Sequence, residues 1–91
     1  MHELGLDVVD WNRILFKDFE DDDDIRDKLH QHRLEFEEVI QCFYNQFQVR
    51  RNKKFKDRFQ LVGKTDAGRR LKVIFQLKLG NIVRIITGWD L

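Results

Sequence analysis

Among the histidines and arginines of this sequence, His32, Arg58, Arg69 and Arg84 are the candidates for one reaction in common. A histidine carries a proton near neutral pH, and an arginine presents a planar fork of donors that grips phosphate. Together they meet the needs of a phosphodiester cleavage that uses no metal. A ribose 2′-OH attacks its own phosphate as a base takes its proton, cations steady the charge that develops, and an acid protonates the leaving oxygen. His32 is the candidate proton carrier; the other reading is a helix-end histidine packed on an apolar stripe and bonded to a backbone carbonyl. Arg58, Arg69 and Arg84 are the candidate phosphate clamps, set against a solvent-facing strand residue for Arg58 and a charged turn residue for Arg69. Lys53, Lys54 and Lys64 would add salt-screened attraction for RNA. Thr87 would orient a phosphate or simply fill a β-branched strand position, and Glu37 and Glu38 would orient Arg84 or His32. No Gly-rich phosphate loop, metal-ligand cluster or nucleophile–base motif stands beside them, so no cofactor and no metal are expected.

The charge of the chain is distributed to match. Residues 1–24 hold nine acids against two bases, residues 25–49 four against three, and residues 50–91 three against twelve, so a net +1 hides a back half of net +9. Such a half suggests a surface for phosphates or for an acidic partner; the plainer reading is that the acidic front folds against it and neutralises it. The asymmetry also leaves head-to-tail oligomerisation open. At 91 residues the chain is expected to form a single domain over 1–91. No apolar run approaches the ~20 residues of a membrane helix, the first ten residues carry acids rather than the basic start of a signal peptide, and Cys42 is the one cysteine. A cytoplasmic location without membrane contact is the expectation.

Elements to position these groups are legible in the spacing. Residues 4–12 read as a short helix or an added edge strand, and residues 13–20 as a first strand holding Ile14, Phe16 and Phe19. Asp21 to Asp24 lack the alternate ligand spacing and the glycine of a calcium loop, and acids in that place cap a helix and suit its dipole. A first helix is expected from Asp24 to Gln31, with Ile25, Leu29 and His32 on one face, and a second from Glu35 to Tyr44 with the stripe Phe36, Val39, Ile40, Phe43. Cys42 lies off that stripe and reads as an ordinary small residue. Strands follow at Phe47 and Val49, at 55–63, along the period-2 face Leu71, Val73, Phe75, Leu77, Leu79, and from Ile82 to Thr87. Arg50, Arg51, Lys53 and Lys54 form a basic turn around Asn52, and 65–68 is a second turn. The expected fold is α+β: two helices packed on one face of a twisted antiparallel sheet of about four to five strands.

Gly80-Asn81 is a two-residue hairpin signal. It would pair Leu79 with Ile82, Leu77 with Arg84 and Phe75 with Ile86. Arg84 would then lie on the helix-covered face, where a charge must be paired or reach a cleft, with His32, Glu37 and Glu38 as its neighbours.

Three stretches together resemble a known family. His32-Arg33-Leu34-Glu35-Phe36-Glu37-Glu38-Val39 with Phe43 resembles the helix signature KHGVxxEEAxxVF, residues 58–69 resemble the hairpin RYxxxGxTxxGR, and residues 83–90 resemble the terminal xRIITAxD. These are signatures of the BrnT family of type II toxin–antitoxin systems, and the match runs over roughly residues 16–91, leaving 1–15 as an N-terminal extension outside it. The resemblance implies a RelE-like fold, metal-independent RNA cleavage, and a BrnA-like antitoxin that binds and inhibits the toxin. It also supports the choice of His32, Arg58, Arg69 and Arg84 as the candidate site. The chain departs from the pattern at Gln31, where the family has Lys or Arg, at Arg33, where it has Gly, and at Asp21, where it has Trp. Arg33 or Lys28 could substitute in space for the missing base. A non-catalytic module on the same fold, binding protein or nucleic acid, is the other functional expectation.

Overall fold

The computed structural model describes residues 16, 18–55 and 57–91. Within them the elements follow as β1 (Asp18–Phe19), α1 (Asp23–Gln31), α2 (Phe36–Tyr44), β2 (Phe47–Arg51), β3 (Phe59–Lys64), β4 (Arg70–Lys78) and β5 (Ile82–Asp90). The strands form one sheet in the order β1-β5-β4-β3-β2. Every neighbouring pair is antiparallel except the short edge strand β1, which runs parallel to β5. The expected α+β arrangement of two helices on a five-stranded sheet is therefore what the chain forms, with a mixed sheet because of β1. The expected segment at 4–12 and the Ile14 end of the first strand lie outside the described residues.

Local chemistry sets the helix ends. Asp22 caps α1: its Oδ1 accepts the Ile25 N–H at 2.9 Å, and Asp23 and Asp24 fill the first turn. The acidic run thus works as a helix start, as its spacing suggested. At the other end the Leu34 N–H returns to the Leu29 carbonyl at 2.9 Å, with Arg33 at φ 60°. That left-handed turn favours glycine, and Arg33 occupies it in this chain. On α2 the Glu38 carboxylate accepts the Glu35 N–H at 3.0 Å, half of a capping box.

Both helices lie on one face of the sheet. Ile25 and Leu29 of α1, Leu34, and Phe36, Val39, Cys42 and Phe43 of α2 are buried against Leu61, Leu71, Val73, Phe75, Val83 and Ile85. Phe43 anchors the centre, with its ring 5.0 Å from Phe75, 5.1 Å from Phe19 and 5.2 Å from Phe16. Cys42 is fully buried, and burial pushes its thiol up to about 11, so it packs as a small apolar group and offers no nucleophile. His32 departs from the expected helix face: it is the C-cap of α1 and is exposed.

The hairpin register differs from expectation by one residue. Lys78 pairs with Ile82, Leu77 with Val83, Gln76 with Arg84 and Phe75 with Ile85. The loop is three residues long, with positive φ at Gly80 and Asn81, and Leu79, expected on the apolar face, is 96 % exposed at its start. One extra residue in β4–β5 pairing then restores the outward end: Ile74 pairs with Thr87, so Ile86 is the bulged residue. Because side chains alternate with period 2, the one-residue shift puts Arg84 on the face away from the helices, correcting the expected placement beside His32, Glu37 and Glu38. The strand expected from Phe55 also starts later, at Phe59. Asn52 Oδ1 accepts the N–H groups of Lys54 and Phe55 at 2.8 and 3.0 Å, which curls residues 52–55 into a turn.

Candidate nucleic-acid interface

The face of the sheet opposite the helices is set by register alone. Gln48, Val62, Lys72 and Trp89 form one row across four strands; Arg50, Gln60, Ile74 and Thr87 form the next; Lys64 and Arg70 pair beside them. With strands about 4.8 Å apart, each four-strand row spans roughly 14 Å. Val62 and Ile74 make an apolar floor, while Arg50, Lys64 and Arg70 are exposed and Lys72 is half-buried. Two shallow grooves of about 270 and 260 Å³ run over this face and share Gln48, Val62 and Arg70. Among the described residues, no carboxylate lies within ion-pair distance of Arg50, Lys64, Arg70 or Lys72.

The acidic front neutralises other bases. Arg84 Nη1 meets Glu20 Oε1 at 3.1 Å and Asp22 Oδ2 at 3.2 Å, and Lys78 Nζ meets Glu20 Oε2 at 2.9 Å. Arg84 also lines a narrow cleft with Asp24, Lys28 and Ile86. Arg26 joins Asp21 at 2.7 Å and Glu37 at 3.0 Å. Arg69 holds Asp90 at 2.7 Å, Glu38 at 3.3 Å and the Arg33 carbonyl at 3.1 Å, tying the end of β5 to the turn between the helices. Glu37 and Glu38, expected to orient Arg84 or His32, instead hold Arg26 and Arg69.

These pairs give the chain an acid-sensitive seam. Hydrogen bonds from Lys78 and then Arg84 hold the Glu20 carboxyl below its ordinary value of 4.5; Asp22 is held below 3.8 chiefly by the Ile25 N–H, and Asp90 below 3.8 by Arg69. A lowered folded pKa contributes stability that is complete above the ordinary value and is lost as pH falls through the lowered one. Thermal melts across pH should therefore show a flat midpoint above about pH 5 and a steady fall below about pH 4, and Glu20→Gln should flatten part of that fall. A midpoint independent of pH in the acid range would show that these pairs contribute nothing.

The candidates named from sequence fall into separate surroundings. Lys64 and Thr87 are on the open face. Lys53 and Lys54 are exposed in the loop after β2, where the Arg58 guanidinium lies 4.4 Å and Lys54 Nζ 5.5 Å from the centre of the Phe55 ring. His32 stands at the rim, its ring 6.4 Å from that of Trp89. Arg69 and Arg84 are engaged by carboxylates, so His32, Arg58, Arg69 and Arg84 each keep different partners. Arg50, Arg70 and Lys72 were missed as a set, although Arg70, Lys72, Ile74 and Gln76 alternate with the apolar face of β4 and so share the opposite one.

Comparison with known proteins adds no relative: no family model matches the chain, and no curated protein matches it at a significant level. Among the described residues no helix is long and apolar enough to cross a membrane.

Proposed function

We propose that the chain binds RNA on the open face of the sheet and cleaves it without metal, as a BrnT-like toxin acting in the cytoplasm and held by a BrnA-like antitoxin. The observation that carries the binding is the set Arg50, Lys64, Arg70 and Lys72, which among the described residues has no carboxylate partner and lies on the sheet face opposite α1 and α2. Cations that no described carboxylate pairs mark where a polyanion gains most, because contact with phosphate releases counterions. His32 supports the chemistry: it is exposed, stands beside Trp89, and through Trp89 adjoins Lys72, whose ammonium lies 5.9 Å from the indole. A phosphate on the basic row would have a proton carrier at its edge and cations beneath it.

The purified chain is expected to cut RNA in EDTA and leave cyclic phosphate ends, with His32→Ala slower by roughly a hundredfold or more. Binding without new ends in the wild type would reject cleavage of free RNA. That result would favour the non-catalytic binding module, the reading supported by Arg69 and Arg84 being held by carboxylates.

A further inference from the structure

Resting on the RNA-binding reading, the geometry points to Trp89 as a stacking platform for one unpaired base, so that the open face takes single-stranded RNA. The bulge is what presents this ring. Along β5, Val83 and Ile85 face the helices. Simple alternation from Ile85 would place Thr87 and Trp89 on that covered face as well, and Gly88 and Asp90 on the open one. The extra residue at Ile86 inverts the order: Thr87 and Trp89 go to the open face, while Gly88 goes beneath the helices. A Cβ at Gly88 would sit 3.2 Å from the Lys72 backbone oxygen, tight enough that the strand would have to give slightly, and in ordinary contact with Leu34 and Leu29 at 3.5 and 3.6 Å. Asp90, on the same side, is taken by Arg69.

The indole therefore stands half-buried at the end of the row Gln48-Val62-Lys72-Trp89, with a lysine ammonium against its ring and the exposed His32 ring at its flank. A base stacked on such a ring needs no particular sequence, since every base has a π-face, while the neighbouring cations hold the adjoining phosphates. A base locked in a duplex cannot be splayed onto it. The Val62 and Ile74 floor beyond Lys72 continues the surface in apolar character, and Gln48 and Gln60 add groups that donate to or accept from base edges.

The test uses the full chain and a fluorescently labelled 2′-O-methyl single strand, which no 2′-OH attack can cut, beside an abasic strand of equal length and charge and a duplex of the same sequence. Anisotropy titrations at roughly 100 mM salt should show the wild type binding the base-bearing strand about tenfold or more tighter than the abasic strand, and tighter than the duplex. Trp89→Ala should lose that preference yet bind the abasic strand as the wild type does, which also shows that it is folded. Trp89→Phe should keep most of the preference. An undiminished preference in Trp89→Ala, or equal binding of base-bearing and abasic strands by the wild type, overturns the platform and leaves the basic face standing. No binding of any strand by the wild type overturns both.

Discussion

Replacing Arg50, Arg70 and Lys72 together by glutamine is expected to weaken binding to single-stranded RNA by roughly a hundredfold at about 100 mM salt. The reasoning is electrostatic. Each phosphate neutralised on a single strand contributes a slope of about −0.7 in the logarithm of affinity against that of salt. At that salt concentration one contact is then worth about a factor of five, and three contacts multiply to about a hundred. The same substitution should reduce the measured salt slope by about two, a signature that misfolding does not imitate. The three positions lie on the open face, outside the core cluster, so the folded state should survive. Lys78→Gln, whose ammonium already pairs with Glu20, is the single-charge comparison and should leave affinity and slope nearly as they were. An unchanged slope in the triple variant would place the RNA surface elsewhere, with the loop cations Lys53, Lys54 and Arg58 as the next set to test.

Phe75→Ala should have the largest effect on stability. Phe75 is fully buried at the middle of β4 and meets Phe43 edge-on at 5.0 Å and the tilted ring of Phe59 at 5.6 Å, joining α2 to β3 across the sheet. Truncating a buried phenylalanine costs about 3–5 kcal/mol, from lost transfer energy and the cavity left behind. At the usual value per residue, 91 residues correspond to a total stability of only about 5–14 kcal/mol. The variant should melt about 15–30 °C lower and be partly unfolded at physiological temperature. Phe75→Leu, which fills more of the space, should recover part of that loss. Thermal melts decide the matter: a midpoint within a few degrees of the wild type would mean that the aromatic cluster around Phe43 is not the centre of the core.

Much of the fold was readable from residue order. The stripe Phe36, Val39, Phe43 and the alternation Leu71, Val73, Phe75 each repeat at a period that only one kind of element can bury. The capping role of the aspartate run was readable because a helix start needs nearby acceptors for its free N–H groups. The strand beginning at Phe59 was read four residues early because apolar alternation cannot show that Asn52 closes a loop on Lys54 and Phe55.

The site was harder to read. A charge in a sequence carries no record of its partner. Arg69 and Arg84 looked like phosphate clamps by type, and only the folded chain shows Asp90, Glu38, Glu20 and Asp22 arriving against them from residues as many as 64 positions away. The plainer reading of the charge asymmetry holds for Lys78 and Arg84, which Glu20 and Asp22 neutralise, while among the described residues no acid of the front reaches Arg50, Lys64, Arg70 or Lys72.

By itself the amino-acid order determined the two helices, the strand faces, the core residues and the basic character of the back half, because these follow from local periodicity and composition. The tertiary structure decided the register. A loop of three residues instead of two, and one bulged residue at Ile86, leave the composition of β5 untouched but exchange which of its side chains meet the helices and which meet solvent. Since strand side chains alternate with period 2, the longer loop moves Arg84 off the covered face, and the bulge then returns Trp89 to the open face that the shifted register would have taken it from.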